Sequence, residues 1–461
     1  MKKLEKGFIS GFDWQLYPDT ERFLQKEVNR FLRNNSMARR LARKMRSESS
    51  TRFFDWIDHI VLPHDKKKES FLLKHRFKKQ QNKRFLIYKN KNSIFFPILF
   101  HNSREFEIVL KPENVEDFVR KVKTEGKVQG EKYAPLRKVI VKQQVNYLLT
   151  AIERRGSNAY VIKKASDINK YKKALKMFAT RKRKFGSDRE GMIYTLKLVN
   201  TVTKWLPKER ATDAFFRAER SYWKQRNKAG QIQKARQDKL GLGWGNHDHH
   251  TYRSSRNNFS FLVKIFEALG YKCRERFYAG EKAGWGAQIL EHPICDIVMF
   301  SDVDISKHER HKDFAHEGLP KESKLGTVGL WIGLHGESVL QAGMHHLEAR
   351  FMFEKLEKDL NKKGLEVMKP FSHFPFLKQA FTKGETWKVE KSRVEKLLRE
   401  KYITKEQYLE FLDNGAIGSH MENLQRKQGF KGFNQDSVTA VIKATDPRRR
   451  LHKNYMQHRG A

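Results

Sequence analysis

The feature that most constrains the fold is an arrangement of strands and a helix that occurs twice after residue 246. Residues 247–253 alternate in polarity like a strand, and 257–269 carry apolar residues at helical spacing up to Gly270. Three further strand-like runs follow, at 272–278, 284–292 and 296–303. A second pass has a strand at 343–351, a helix at 354–363, a helical pattern at 404–412, and extended runs at 415–426 and 429–433. The sequence therefore predicts two βαβββ modules that face one another in a cupped, half-open sheet.

The residues before this arrangement predict a mostly helical region with a small sheet. The apolar spacing predicts helices over 20–47 (with a break near 34–36), 52–61, 114–124, 134–155, 166–178, 187–206 and 209–239. Strand-like runs occupy 85–88, 93–99 and 106–110. The glycine-rich segment 240–246 (LGLGWGN) is the best candidate for a hinge. We expect an α+β protein with a basic α+β region at 1–125, a basic helical region at 126–240 and a metal-binding domain at 241–461.

Charge is unevenly distributed along the chain. The net charge is +42, and residues 1–250 hold 59 of the 95 basic and 26 of the 53 acidic residues, a net +33. Such an excess favours a polyanionic partner, because binding to phosphates releases counterions. In the predicted helix 209–239, Phe216, Tyr222 and Trp223 are interleaved with basic residues, an arrangement that would suit base stacking and phosphate contacts. A solvated basic surface over a packed aromatic core is the alternative.

The candidate chemistry lies in histidine clusters after residue 246. These clusters are His247, His249 and His250; His345 and His346 with Glu348; His420 with Glu422; and His335 with Glu337. Two imidazoles and one carboxylate on one face can hold a divalent metal and leave positions open for substrate and dioxygen. Strand alternation places His247, His249, Thr251 and Arg253 on one face, so that a metal ligand stands beside a guanidinium suited to a carboxylate.

Other classes of site and location are disfavoured. The two cysteines, Cys273 and Cys295, form no CxxC pair, which argues against a thiolate zinc site and a disulfide framework. No GxSxG, P-loop or GxGxxG motif is present. The first residues lack an apolar signal core, and no apolar run approaches the length of a membrane span, so we expect a cytoplasmic protein with no membrane partner.

Three short motifs resemble the 2-oxoadipate dioxygenase/decarboxylase family, part of the vicinal-oxygen-chelate superfamily. That family has an H-x-A-x-R-like strand, an N-H-L-x-x-R strand and an E-x-x-Q-R strand. Here these motifs read HHTYR (249–253), HHLEAR (345–350) and ENLQR (422–426), within a resemblance that covers roughly residues 246–435. The resemblance implies a vicinal-oxygen-chelate-like cupped sheet, with His249, His346 and Glu422 as iron(II) ligands. It prefers His346 over His345, and Glu422 over Glu291, Glu337 and Glu348.

The same resemblance implies the residues that would handle substrate. Arg253 would clamp a substrate carboxylate, and Arg350, Gln425 and Arg426 complete the catalytic set that the motifs suggest. Iron(II) is the expected metal, while manganese, nickel and zinc also suit these ligands. The expected activity is oxygenation and decarboxylation of a 2-oxo acid or a related small carboxylate.

Two other functions are compatible with the sequence. The basic residues 1–240 could bind RNA, DNA or the ribosome, with the metal-binding cup modifying that polymer or serving as scaffold. Alternatively, the cup could bind an acidic ligand without catalysis. Salt-dependent affinity would identify the first alternative, and the absence of oxygen consumption would identify the second.

Overall fold

The N-terminal part of the molecule is built on a seven-stranded mixed sheet. The computed structural model describes residues 14–433 and 446–448. The strand order is β2-β3-β4-β1-β5-β7-β6. The strands are β1 (Ile57–Pro63), β2 (Lys78–Gln81), β3 (Leu86–Lys89), β4 (Ile98–His101), β5 (Phe106–Leu110), β6 (Leu136–Gln144) and β7 (Tyr147–Arg154). The helices of this part are α1 (Pro18–Asn34), α2 (Ser36–Lys44), α3 (Lys66–Lys74) and α4 (Val115–Val122).

Local sequence signals explain where these helices begin. The side chain of Asn35 accepts a hydrogen bond from the Ala38 amide, so it caps α2 and separates it from α1, at the break that the sequence predicts. Asp65 and Asn114 cap α3 and α4 in the same way. The apolar faces of α1, α2 and α4 pack on the sheet in one core.

Two predicted helices in this part are wrong. The expected helix over 52–61 is a single 3₁₀ turn (Phe53–Trp56) followed by β1, and the expected helix over 134–155 is the antiparallel hairpin of β6 and β7. Both β1 and β7 are buried along nearly their whole length. A strand covered on both faces has no polar–apolar alternation, and its continuous apolar run cannot be told from a buried helix by periodicity. The N-terminal sheet is therefore larger than the sequence predicts.

Four helices connect the two sheets. They are α5 (Ile168–Ala179), α6 (Asp188–Thr203), α7 (Lys208–Gln225) and α8 (Lys228–Asp238). The expected helix over 209–239 is thus two helices, because the Asn227 side chain accepts from the Gly230 amide and starts α8 anew. Apolar residues of these helices share one core with the strands and helices that follow.

The glycine-rich segment 240–246 is packed tightly between the two parts of the molecule. Leu242 and Trp244 are buried. A Cβ atom on Gly245 would lie 2.1 Å from the main-chain oxygen of Lys111, so only glycine allows this close approach to the N-terminal sheet. The contacts of this segment are those of a buried connection, in contrast to the hinge that the sequence suggested.

The C-terminal part contains an eight-stranded sheet with the order β13-β14-β17-β12-β8-β11-β10-β9. Its strands are β8 (His247–Arg253), β9 (Lys272–Tyr278), β10 (Trp285–Glu291), β11 (Val298–Asp304), β12 (His346–Arg350), β13 (Ser372–Phe374), β14 (Leu377–Phe381) and β17 (His420–Arg426). Strands β15 (Thr386–Trp387) and β16 (Ala416–Ile417) form a separate pair. The helices are α9 (Phe259–Ala268), α10 (Thr327–His335), α11 (Phe353–Asn361), α12 (Lys391–Arg399) and α13 (Lys405–Asn414).

The two halves of this sheet have the same strand arrangement. In each half the first strand lies at the centre, its neighbour is the fourth strand, and the second strand is at the edge. A helix, α9 or α11, follows each first strand, and α12 and α13 are inserted before the last strand of the second half. The predicted α+β class and the pair of βαβββ modules are therefore confirmed in outline. In the second module, however, β13 and β14 lie at 372–381, where no strand was predicted, and the extended run expected at 429–433 is not a strand. Within the described residues, no helix is both long and apolar enough to cross a membrane.

Candidate metal centre

Four potential ligands converge at the centre of the eight-stranded sheet. His249 lies on β8, His346 and Glu348 lie on β12, and Glu422 lies on β17, and these three strands are adjacent. One donor atom from each residue lies within 4.8 Å of the other three, and all four side chains are buried. His346 Nε2 is 3.2 Å from a Glu348 oxygen and 3.8 Å from a Glu422 oxygen, while His249 Nε2 contacts the other Glu348 oxygen.

Strand register explains this convergence. β12 and β17 are parallel, and Glu348 is the direct partner of Glu422, so the two carboxylates project side by side from one face. β8 runs antiparallel to β12 on its other side, with a bulge that sets two residues of β8, Asp248 and His249, against Glu348. The bulge therefore brings the His249 ring to the two carboxylates.

The same bulge overturns part of the strand-parity prediction. The sequence placed His247 on the face of His249, but the extra residue turns His247 to the opposite side, where its ring lies 5.3 Å from that of His250. His250 lies on that opposite side as predicted, with its ring 5.2 Å from Phe216 of α7. Only His249 of this cluster belongs to the convergent group.

The electrostatics of the four donors suit a divalent cation. Burial lowers the pKa of His249 to about 4 and that of His346 well below its usual value, so both imidazoles are neutral and can coordinate. Burial raises the pKa of Glu422 to about 7, and burial together with the adjacent Glu422 raises the pKa of Glu348. Two buried carboxyl groups side by side are costly to ionise, and a bound cation would remove that cost.

Outer contacts orient these donors. Asp248 lies 3.1 Å from His249 Nδ1, and the Gln379 amide donates to Glu422 at 2.9 Å. A carboxylate on the second ring nitrogen fixes the tautomer of a metal-binding histidine. The aromatic rings of Phe300 and Phe381 lie 4.5 Å from the His249 ring and 4.9 Å from the His346 ring, so the donors are walled by apolar groups.

Three predicted catalytic residues make contacts within the protein. Arg350 donates to Asp248 at 2.8 Å, and Arg426 approaches the same aspartate at 3.4 Å. Gln425 accepts from the Phe353 amide at 2.9 Å, which anchors the start of α11. Asp248 thus joins His249 to Arg350 and Arg426, a link that the sequence analysis missed because only the bulge places the Asp248 side chain beside that of its neighbour.

Arg253 differs from these arginines. It is 97% buried (3% exposed), and its Nε and Nη1 atoms have no hydrogen-bond partner among the described residues. The Asp302 carboxylate is 3.9 Å away, and the guanidinium lies 5.4 Å from the Trp331 ring centroid. Burial raises the pKa of Asp302 to about 7, with Arg253 opposing that rise. The charge of Arg253 adds to the effect of burial in lowering the pKa of His346.

The aromatic residues predicted to stack on nucleic-acid bases are mostly core residues. Phe216 and Trp223 are buried in the core under the eight-stranded sheet, so for these two residues the packed aromatic core is the correct alternative. Arg217 pairs with Asp213, and Arg220 is buried. Tyr222 alone of the three aromatics is partly exposed.

Comparisons with known proteins do not assign a family. No family model and no curated protein matches this sequence. Among solved structures, a protein assigned to the glyoxalase superfamily from Ralstonia eutropha matches with 13% identity and a TM-score of 0.33, covering 59% of this chain and all of that one. A mutant of 4-hydroxymandelate synthase from Streptomyces coelicolor matches with 10% identity and a TM-score of 0.29, over 86% of this chain and 99% of that one. Methylmalonyl-CoA epimerase from Mycobacterium tuberculosis matches with 8% identity and a TM-score of 0.23, over 40% of this chain and 89% of that one. With TM-scores this low, the function has to be inferred from the site itself.

Proposed function

We propose that this protein is a non-haem metal enzyme, an oxygenase or decarboxylase that acts on a 2-oxo acid or a related carboxylate. The observation that carries the proposal is the buried group of His249, His346, Glu348 and Glu422, whose donor atoms lie within 4.8 Å of one another. His249, His346 and Glu422 are the proposed ligands, and Glu348 offers a fourth oxygen at the same point.

The donor set fits iron(II) best, with manganese, nickel or zinc as alternatives. Imidazole nitrogen and carboxylate oxygen suit these ions, and two histidines with one carboxylate leave coordination positions free. A bound redox-active ion of this kind would supply Lewis acidity and dioxygen chemistry at the site. Both Glu348 carboxylate oxygens contact histidine nitrogens of the group, so a cation between these donor atoms would lie within reach of all four residues.

Arg253 provides the substrate-binding part of the proposal. A buried guanidinium with two unpaired donor atoms carries a large desolvation cost, and a substrate carboxylate accepting those bonds would offset it. The flat Trp331 ring beside the guanidinium limits the directions in which it can point. Arg253 would thus hold the carboxylate while the rest of the substrate reaches the four donors.

The burial of the site would keep bulk water from the reacting groups. All four donors are buried, with Phe300 and Phe381 against the histidine rings. In such surroundings, charge interactions are stronger than in water, and reactive species are protected from side reactions.

The test has two parts, metal content and oxygen uptake. Purified protein, reconstituted anaerobically with iron(II), should hold close to one ion per chain, and His249→Ala should lose it. The exposed His308 gives a matched control, and His308→Ala should leave the metal content unchanged. Oxygen consumption with a panel of 2-oxo acids then identifies the substrate. If wild type and His249→Ala hold the same low amount of each of the four metals, the proposal loses its basis. If metal binds but no 2-oxo acid is turned over, the protein is an acid-binding module without catalysis.

A further inference from the structure

A second concave region lies away from the four donors. It is a groove with a volume of about 740 Å³, lined by residues 179–184 after α5, by Tyr222 and Arg226 at the end of α7, by the end of α10, and by residues 388–393. Its volume lies in the range of pockets that take small-molecule ligands. We refer to it as the basic groove.

The charge of the basic groove is strongly positive. Seven cationic side chains line it, namely the run Arg181–Lys184 with Arg226, Lys388 and Arg393, against one acidic side chain, Glu390. Two acids outside the lining, Glu219 and Asp188, pair with Arg181, Arg183 and Arg393. The seven cations still outnumber the three acids. A concave surface lined mainly by positive charge concentrates the positive electrostatic potential inside the groove.

Three of these cations have no acidic partner. Lys182, Arg226 and Lys388 form no ion pair with any residue that the structure describes. Lys182 and Lys388 are exposed, while Arg226 is partly buried and donates to the main-chain oxygen of Gln341. The groove therefore holds charge that the protein itself does not neutralise.

Aromatic rings fix the guanidinium groups in place. Arg183 lies 3.7 Å from the Tyr222 ring centroid, and Arg226 lies 4.2 Å from that of Trp387. The Gly418 main chain packs against the Trp387 ring, since a Cβ atom on Gly418 would lie 2.0 Å from it. These rings are occupied by arginine and backbone, so the groove offers ordered charge and little surface on which a base could stack.

The basic groove is separated from the candidate metal centre by a layer of side chains. His335 lines the groove, and its ring lies 5.3 Å from Trp331, whose ring in turn lies 5.1 Å from His345. A ligand in the groove would therefore be separated from Arg253 and the four donors by this layer, and would take no part in the proposed reaction.

We propose that the basic groove binds an oligophosphate, either the triphosphate of a free nucleotide or consecutive phosphates of a nucleic-acid strand. A guanidinium group held in place can donate two hydrogen bonds to the oxygens of one phosphate. A lysine adds positive charge and does not require one fixed orientation of the phosphate. A single carboxylate would neutralise one of the unpartnered cations, whereas an oligophosphate can neutralise all three. Recognition would be independent of the base, because the aromatic faces are already covered.

The experiment measures binding of two probes by the full chain. Inorganic triphosphate is titrated by calorimetry, and a fluorescein-labelled single-stranded RNA is followed by anisotropy, each at low and moderate salt. The test variant is Lys182→Gln/Lys388→Gln, which changes only exposed side chains. The matched control, Lys362→Gln/Lys363→Gln, removes the same charge from exposed positions outside the groove.

We expect affinity to fall with salt, and the groove variant to bind about tenfold more weakly while the control stays within about twofold. If triphosphate binds and competes with RNA, the ligand is the phosphate group itself; if only RNA binds and the groove variant weakens it, the ligand is the strand. Either result supports the proposal. Failure of both probes at low salt, or equal weakening by the groove and control variants, overturns it. Neither result depends on the metal centre, so the proposed enzymatic function is tested separately.

Discussion

The two halves of the eight-stranded sheet share one strand arrangement but carry different chemistry. In the second half, the parallel partners β12 and β17 set His346 beside His420 and Glu348 beside Glu422. In the first half, the parallel partners β8 and β11 set His249 beside Val298 and Arg253 beside Asp302. Three of the four convergent donors thus come from the second half, and the first half supplies one histidine and the buried Arg253.

This difference shows how the two halves of one sheet can bind different groups, one a cation and the other a carboxylate. The second half concentrates carboxylates, which favour a cation. The first half offers a buried guanidinium with free donors, which favours a carboxylate. The first strands β8 and β12 are neighbours at the centre of the sheet. The cation-binding and carboxylate-binding groups therefore lie on adjacent strands, and no loop is needed to bring them together.

The largest expected effect comes from removing a donor of the second half. His346→Ala should weaken iron(II) or zinc binding by more than about 100-fold, since losing a ligand costs more than losing a residue that orients one. Competition with a chromogenic chelator measures this. His311→Ala, at an exposed position, is the control. Unchanged metal affinity in His346→Ala would break the assignment of metal binding to the second half.

A pH experiment examines the connection between the halves. Glu337 is fully buried after α10 and accepts hydrogen bonds from Ser255 and Asn258 of the first half. Burial raises its pKa from 4.5 to about 7. A raised acid pKa means that the folded protein binds more protons than the unfolded chain between these values, so this contribution to stability is present below pH 4.5 and lost as the pH rises through 7.

We expect wild-type stability to fall by up to about 3 kcal/mol from this residue between pH 4.5 and 7, and the Glu337→Gln variant to lack that fall. Urea denaturation at several pH values measures the difference between the two proteins. Parallel pH profiles for wild type and variant would show that Glu337 ionises normally and that burial does not perturb it.

The first half is tested through Arg253. Replacing Arg253 with Met should leave metal affinity unchanged but raise the KM for the active 2-oxo acid by about 10- to 100-fold, the loss expected for a charge-assisted hydrogen bond. Steady-state oxygen uptake gives KM and kcat, and the chelator assay gives metal affinity. If the Arg253 variant loses metal as well as activity, metal binding and carboxylate binding are not assigned to separate halves.

The smallest expected effect concerns the orientation of His249. Asp248→Asn keeps the size of the side chain but removes the carboxylate that contacts His249 Nδ1 and pairs with Arg350. Metal affinity should fall about tenfold, as for other residues that orient a ligand. Circular dichroism serves as the control for folding. A metal affinity equal to that of wild type would mean that the bulge contact does not orient the ring.

The sequence by itself determined much of the C-terminal part. Helical spacing and Gly270 located α9 closely, and alternation located β9, because α9 has one buried face and a clear stop signal and β9 has one buried and one more exposed face. The histidine clusters and the short motifs also named His249, His346 and Glu422, three residues that the structure brings to one point. Their role as ligands stays a prediction until metal is measured.

Only the tertiary structure decided the remaining features. Strands β1 and β7 are buried by their neighbours, so their own apolar pattern could not distinguish strand from helix. The bulge in β8 and the pairing of Glu348 with Glu422 depend on register between segments distant in sequence, and register is set by the packing of the whole sheet. The basic groove gathers cations from positions 181 to 393, and no local pattern could show that they would share one surface.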